Sequence, residues 1–417
     1  MRSFDAWVDH PGYAITPQGI LATFRLAEMG DPQRQCDLID DLVENDATLR
    51  NLFEQREQSV AGKPWVVQAG GASDTEELGA RIMFESLRQL PMVQVYQHLL
   101  AFNRYGWSAC EIDWGVRNIE GRDWIVPVWL APVPARRFKI SSGFGPALSE
   151  VTGVDELRLY ADAKRPHGDE LKPSKWIVLR RSGPWLARSG LMRTAAWPAM
   201  AKRLGFRDWL VYSQRFGMPL PIAKYKAESG DEDLKTAEEV VSKIGSDGGA
   251  VMPDSIDLEF FDATRGNVEN SKAHGGLIAH CNAEMAKLIN GSTLANDNAG
   301  SGGASYALGE VHASTRWDAI LHDTEMLQEA FRTQLAAPLM HFNGLAGAAP
   351  LLRVQVVRDL QPEQRALIAV RMANQLGIGV SISQMRQELG FREPAGNDDK
   401  APGMKVESFP IGGGGSP

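Results

Sequence analysis

A run of glycine, serine, asparagine and alanine, NGSTLANDNAGSGGASYALG (290–309), separates two strongly helical stretches. Before it lies SKAHGGLIAHCNAEMAKLIN (271–290), and after it EVHASTRWDAILHDTEMLQEAFRTQLAAP (310–338). A segment of this composition has almost nothing to bury and is expected to be mobile. Connections inside compact domains are usually a few residues, and one this long between two mid-chain helices points to function. Three readings fit it. It is a plain surface loop, a lid over an active site, or a polar element that touches a moving polymer through short, exchangeable hydrogen bonds.

At 417 residues the chain is long enough for two or three domains or one elongated body. No apolar run approaches the roughly 18 residues of a spanning helix, and MRSFDAWVDHPGYAITPQG at the N-terminus has no secretory apolar core. No membrane partner is expected. The three cysteines, Cys36, Cys110 and Cys281, read as buried, reduced thiols of a cytoplasmic compartment. A net charge of −8 argues against a broad basic surface gripping nucleic acid, but not against a protein that encloses DNA without holding it.

Along the chain, helices are expected first. Thr16–Pro17 and Asp31–Pro32 are start signals; Leu38, Ile39, Leu42 and Val43 share a face; ATLRNLFEQREQSVAG (47–62) ends at Gly62. KPWVVQA (63–69) reads as a strand, and Asp74 as the cap of a helix bearing Leu78, Ile82, Met83, Leu87 and Leu90. From Trp107 the pattern turns to strands: 107–116, 122–133, 136–141, 156–161 and 175–181, in a mainly antiparallel sheet. Helix returns after Pro198 (199–217). An αβαβ insert follows, with an extended segment at 218–225, an acidic helix at 231–247 and strand at 248–262. The long helix after the Gly-rich segment is expected to close at Pro338. A strand (351–359) and a helical pair (362–377, 381–390) complete the fold, and 393–417 is expected to be disordered.

The search for chemistry is negative. There is no phosphate loop, no G-x-S-x-G elbow, no H-E-x-x-H and no zinc-spaced cysteine pair, so no cofactor or metal is expected. The acidic cluster Asp231, Glu232, Asp233, Glu238 and Glu239 is either a solvated face or a docking surface for a partner. Arg136–Arg137 either solvates a strand end or contacts phosphate. A lid-covered hydrolase would need a site built from distant residues, with Asp297, His312 and Asp323 as the candidates.

Five blocks in order, NLFEQREQSVAGKPWVV (51–67), RFGMPLPIAKY (215–225), AVMPDSIDLEF (250–260), EMAKLINGSTL (284–294) and HFNG (341–344), resemble the portal proteins of Mu-like tailed bacteriophages. The resemblance runs from about residue 15 to 395. It implies an α+β portal fold: an N-terminal helical arm (1–62), a wing (63–198, with the strand 345–361) and stem helices (199–217 and 268–290). A clip (218–262), a tunnel loop (291–309), a long helix behind it (310–344), a crown-like helical segment (362–392) and a tail (393–417) complete it, and no extended crown is expected. It further implies a non-enzymatic ring of about twelve subunits at one capsid vertex of the virion, assembled in the host cytoplasm. Its partners would be double-stranded DNA in the channel, the terminase large subunit, head–tail connectors, the major capsid protein and scaffold. By segment, Ser292, Asn296, Asp297, Asn298, Ser301 and Ser305 would face DNA, and Lys272, His280 and Glu284 would line the channel. The acidic cluster would dock the motor and connector. A phage head component that forms no ring is the remaining alternative to the hydrolase.

Overall fold

A computed structural model describes residues 15–141, 155–160, 167–181, 183, 185–216, 222–225, 235, 250–253, 269–292, 306–356 and 367. The chain divides into two compact units, Met1–Val356 and Val357–Pro417, and Leu367 alone is described in the second.

Three helices open the fold: α1 (Pro17–Glu28), α2 (Gln33–Asn45) and α3 (Ala47–Ala61). Thr16 caps α1 through the Gly19 amide, with Pro17 pre-set for the first turn, as expected. Asp31 does not cap α2, which is preceded by Pro32 without a side-chain cap; Asp31 instead lies 3.5 Å from Lys139. Gly62 ends α3. Strand β1 (Trp65–Gln68) follows, then α4 (Asp74–Leu87). Its cap is Ser73 rather than Asp74, because a capping box with Glu76 satisfies two orphan donors at once. Next come α5 (Met92–Leu100) and α6 (Phe102–Tyr105).

The aromatic stretch forms β2 (Trp107–Ile119) and β3 (Arg122–Val133), a long antiparallel hairpin with a bulge at Asp113/Trp114, flanked on β2 by β7 (Trp176–Arg180). A second antiparallel sheet joins β4 (Phe138–Ser141), β5 (Glu156–Leu159) and β6 (Asp169–Glu170). Ala135–Arg137, expected in part as strand, is a 3-10 turn after Pro134, and Arg136 faces Asp37 at 3.4 Å. After α7 (Leu186–Ser189) comes α8 (Leu191–Phe216). It starts before Pro198 rather than after it. Pro198 forfeits one backbone bond, and burial of Met192, Ala195, Ala196 and Ala199 around it offsets that loss.

Of the insert, β8 (Ile222–Tyr225) and β9 (Ala250–Pro253) are described as a parallel pair; the acidic helix lies outside the described residues apart from Lys235. Helix α9 (Glu269–Asn290) leads to the Gly-rich segment and α10 (Tyr306–Phe331) leads away from it. Pro338 does not end the long helix. A π turn, Arg332–Ala336, widens the ladder just before it, and the chain continues as α11 (Ala337–Phe342) with Pro338 in its first turn, where a missing N–H costs nothing. Strand β10 (Leu351–Val354) returns to pair antiparallel with β1. The expected C-terminal helical pair and tail lie outside the described residues.

Among the described residues, three clusters form the core. One packs α4, α5 and the β2–β3–β7 sheet against the end of α10; a second joins α1, α2 and α3 to α8 and α9; a third lies under β4 and α7. All three cysteines are buried free thiols.

Candidate functional site

The Gly-rich segment leaves the body from a fixed root. Asn290 and Ser292 are buried, and between them Gly291 takes φ +70°, the left-handed geometry that favours glycine at a helix end. The Gly291 amide donates to the Lys287 carbonyl at 3.0 Å, closing the last turn of α9.

Behind this root sits a buried ionic network. Arg56 on α3 donates through Nε and Nη2 to the two carboxylate oxygens of Asp323 on α10, at 2.7 and 3.0 Å. Its Nη1 donates to the Ile289 carbonyl, one of the acceptors that α9 leaves unpaired at its C-terminus. One guanidinium therefore holds the end of the helix entering the loop to the helix leaving it. Asn103 on α6 donates to Asp323 at 2.9 Å and accepts from Arg181, just past β7, at 2.6 Å. Burial, then repulsion from Arg56, lowers the Arg181 pKa. Such a fork is strong only because every polar atom is engaged.

Beside it, Arg104 donates to both oxygens of Glu57, at 2.8 and 2.7 Å. Burial pushes the Glu57 carboxyl up from 4.5 to about 7, against the pull of Arg104. The folded chain thus holds a proton there that the unfolded chain releases. The stability this contributes is full below the unfolded value of 4.5 and is lost as pH rises to about 7. Glu57→Gln should abolish that decline, worth on the order of 3 kcal/mol, in denaturation midpoints measured between pH ~5 and ~7.5. Equal slopes in the two proteins would refute it.

Helices α8 and α9 run antiparallel: Gly205 faces Leu277, and Lys202 neighbours Cys281. Their bases are tied down. Lys202 donates to Asp46 at 2.8 Å, and Asp46 also caps α3 through the Thr48 and Leu49 amides; Arg203 reaches Asp41 at 3.4 Å. Beyond Gly205 the pair exposes Phe206, Leu210, Val211 and Leu277, so it stands out from the body as a two-helix stalk.

Of the residues expected to face DNA, Ser292 is buried in the root of the segment in the single subunit; Asn296, Asp297, Asn298, Ser301 and Ser305 lie outside the described residues. So do Asp231, Glu232, Asp233, Glu238 and Glu239. His280 and Glu284 are exposed on α9, where the Lys287 ammonium, a donor at 2.8 Å, lowers the Glu284 pKa. Lys272 lies within α9, its side chain outside the description. Asp323, a candidate for the lid-covered hydrolase, is fully buried and committed to Arg56 and Asn103, so it has no face left for a substrate.

The sequence model of the family described as the portal protein of Mu bacteriophage matches residues 36–391. The chain belongs to that family. It is 29% identical over 343 residues to the portal protein of Escherichia phage Mu and 26% identical over 346 residues to the Mu-like prophage FluMu protein gp29 of Haemophilus influenzae. Each match covers 80% of this chain and 62% of the relative, so the chain spans less than two thirds of their length. A chain of the native gene transfer agent virion aligns with a TM-score of 0.51 at 13% identity, covering 90% of this chain and 94% of that one, and so shares its fold. The fold of this portal-family chain is accordingly the α+β portal fold. Its ionic network escaped the sequence reading, although one signal was available: Arg56 lies on the apolar face of α3, four residues from both Leu52 and Val60.

Proposed function

We propose that the chain is the portal subunit of a Mu-like phage, assembling into a closed ring of about twelve copies through which double-stranded DNA is packaged and later ejected. Membership of the Mu portal family across residues 36–391 is the observation that carries this reading. The geometry is consistent with it, since the second stalk helix returns to the body at a buried root, Asn290–Ser292, from which the uncharged-rich segment departs, a suitable mount for an element that meets a passing polymer. In portal terms, residues 63–198 with 345–361 form the wing, the stalk is the stem, 218–262 the clip and 291–309 the tunnel loop. The helix that carries the first half of the proposed stem begins at Leu191, within the proposed wing.

A net charge of −8 per subunit, multiplied around the ring, suits the task. DNA adheres when lysine or arginine displaces its counterions, and a predominantly acidic body limits that gain. The ring is a conduit, not an enzyme. Energy for translocation comes from a separate ATPase, the terminase large subunit, docked at the clip and later replaced by head–tail connectors. The major capsid protein and scaffold surround the wing, and the site of action is the virion vertex after assembly in the host cytoplasm.

Mass photometry and negative-stain top views test the ring: closed particles of about twelve subunits with a central hole are expected. A compact monomer or dimer under every condition would return the hydrolase reading to the fore. For the clip, reversing Asp231, Glu232, Asp233, Glu238 and Glu239 together should leave rings intact and weaken motor binding; unchanged packaging would remove the docking role.

A further inference from the structure

Sheet β3–β2–β7 has two edge strands, each with a row of backbone N–H and C=O groups that face away from β2. At one point on each edge a side-chain carboxamide takes the place of a further strand. The Val178 amide on β7 donates to Gln334 Oε1 at 2.7 Å, and Gln334 Nε2 donates back to the Val178 carbonyl at 3.0 Å. The Ile125 amide on β3 donates to Asn343 Oδ1 at 2.9 Å, and Asn343 Nδ2 donates to the Ile125 carbonyl at 2.8 Å. A carboxamide carries the donor and the acceptor of a peptide group. Each pair therefore reproduces the two bonds that an added antiparallel strand would make.

Both carboxamides come from one stretch of chain. Gln334 lies in the π turn, which packs against β7, and Asn343 follows α11, which packs against β3. The separation of nine residues spans about 13 Å of helix, enough to pass over the two strand spacings of about 10 Å between the edges.

The outer edge of β3 is blunted in a second way. Val178 stands opposite Ala109 and Ile125 opposite Val116, and the bonds to the carboxamides mark both as residues whose polar groups point outward. Pro127, the next outward residue after Ile125, has no N–H to offer. Pro132 stands opposite Cys110, whose polar groups turn to Ile177 on β7, so it too points outward without a donor. An open edge here would recruit another strand, because Val116, Ile125 and Trp129 are 66%, 37% and 46% exposed beside it. Water could reach the backbone of so exposed a residue as Ile125. The Asn343 bonds are thus not needed to rescue buried polar groups, and their effect is to exclude a strand.

We propose that Gln334 and Asn343 act as strand surrogates that seal both edges of the β3–β2–β7 sheet against pairing with a second copy of this chain. The proposal does not depend on the ring reading, since it concerns association that the sealed edges prevent. Its test is the double variant Gln334→Leu with Asn343→Leu, compared with Ile39→Val, a mild core truncation away from the sheet. Hydrogen exchange at the Ile125 and Val178 amides should quicken about tenfold in the double variant, the loss of one net hydrogen bond at each. On concentration, the double variant should also form particles heavier than any of the natural chain, with added strand signal in the infrared. Gln334→Glu with Asn343→Asp keeps both acceptors and adds charge, so it should stay dispersed. Should the double leucine variant not fold, Asn343→Leu alone, on the more exposed edge, carries the same readings. Unchanged exchange would show that the carboxamides do not hold these edges. Faster exchange with an unaltered particle distribution, or equal association by Ile39→Val, would show that they only stabilise the fold. Each of these results would overturn the proposal.

Discussion

Replacing Asp323 by alanine is expected to cost about 3–5 kcal/mol, the usual penalty for stripping one partner from a buried ion pair. Asp323 is fully buried and accepts three hydrogen bonds, two from Arg56 and one from Asn103. Removing it leaves a guanidinium with only 7% of its side chain exposed and no counter-charge, within reach of the repulsion of Arg181. Asp323→Asn should lose nearly as much, because it keeps the shape but not the charge. The double variant Arg56→Met with Asp323→Leu should lose less than either single change, since the buried guanidinium goes with its carboxylate and only the partly buried Arg181 and the Asn103 amide lose a partner. The measurement is the shift in denaturation midpoint of each variant. A loss below about 1 kcal/mol for Asp323→Ala, the range of surface pairs, would mean that the carboxylate is not sequestered as described. The same variants bear on function: if the network fixes the loop root, the double variant should fold and form rings yet show faster proteolysis around Gly291.

Much of this architecture is legible from local pattern. The Thr16–Pro17 start, the Gly62 stop, the β2–β3 hairpin and the helices on either side of the Gly-rich loop each follow from residues within a few positions of one another. The departures share a cause. Pro198 and Pro338 read as boundaries because local sterics forbid proline in mid-helix, but tertiary burial around the first and a π turn before the second override that preference. The pairing of β1 with β10 joins segments separated by most of the chain, and no local pattern encodes it. The ionic network lies between these cases. Arg56 interrupts the apolar stripe of α3, and Asp323 the stripe running from Ile320 to Leu327 on α10. Each charge at a core position signals a buried partner, but the identity of that partner is a property of the assembled fold.

If residues 291–309 form the tunnel element proposed above, lysines placed there should arrest DNA in the channel. Asn296, Asn298 and Ser301 carry short neutral side chains on a segment whose one charged residue between Asn290 and Gly309 is Asp297. A contact made through such groups forms and breaks without releasing counterions. Asn296→Lys with Asn298→Lys would add two cations per subunit around the ring, and each phosphate they neutralise steepens the salt dependence of log K by roughly 0.9. The expected result is rings of normal mass and stability, because the anchoring residues from Asn290 to Ser292 are untouched. Packaging in these rings should slow sharply at low salt and recover as salt is raised. The salt response matters, because a loop that blocked the channel by bulk alone would slow packaging equally at every ionic strength. Packaging by the lysine variant at the natural rate in low salt would place this loop away from the DNA path, and the reading of 291–309 as the tunnel loop would have to be given up.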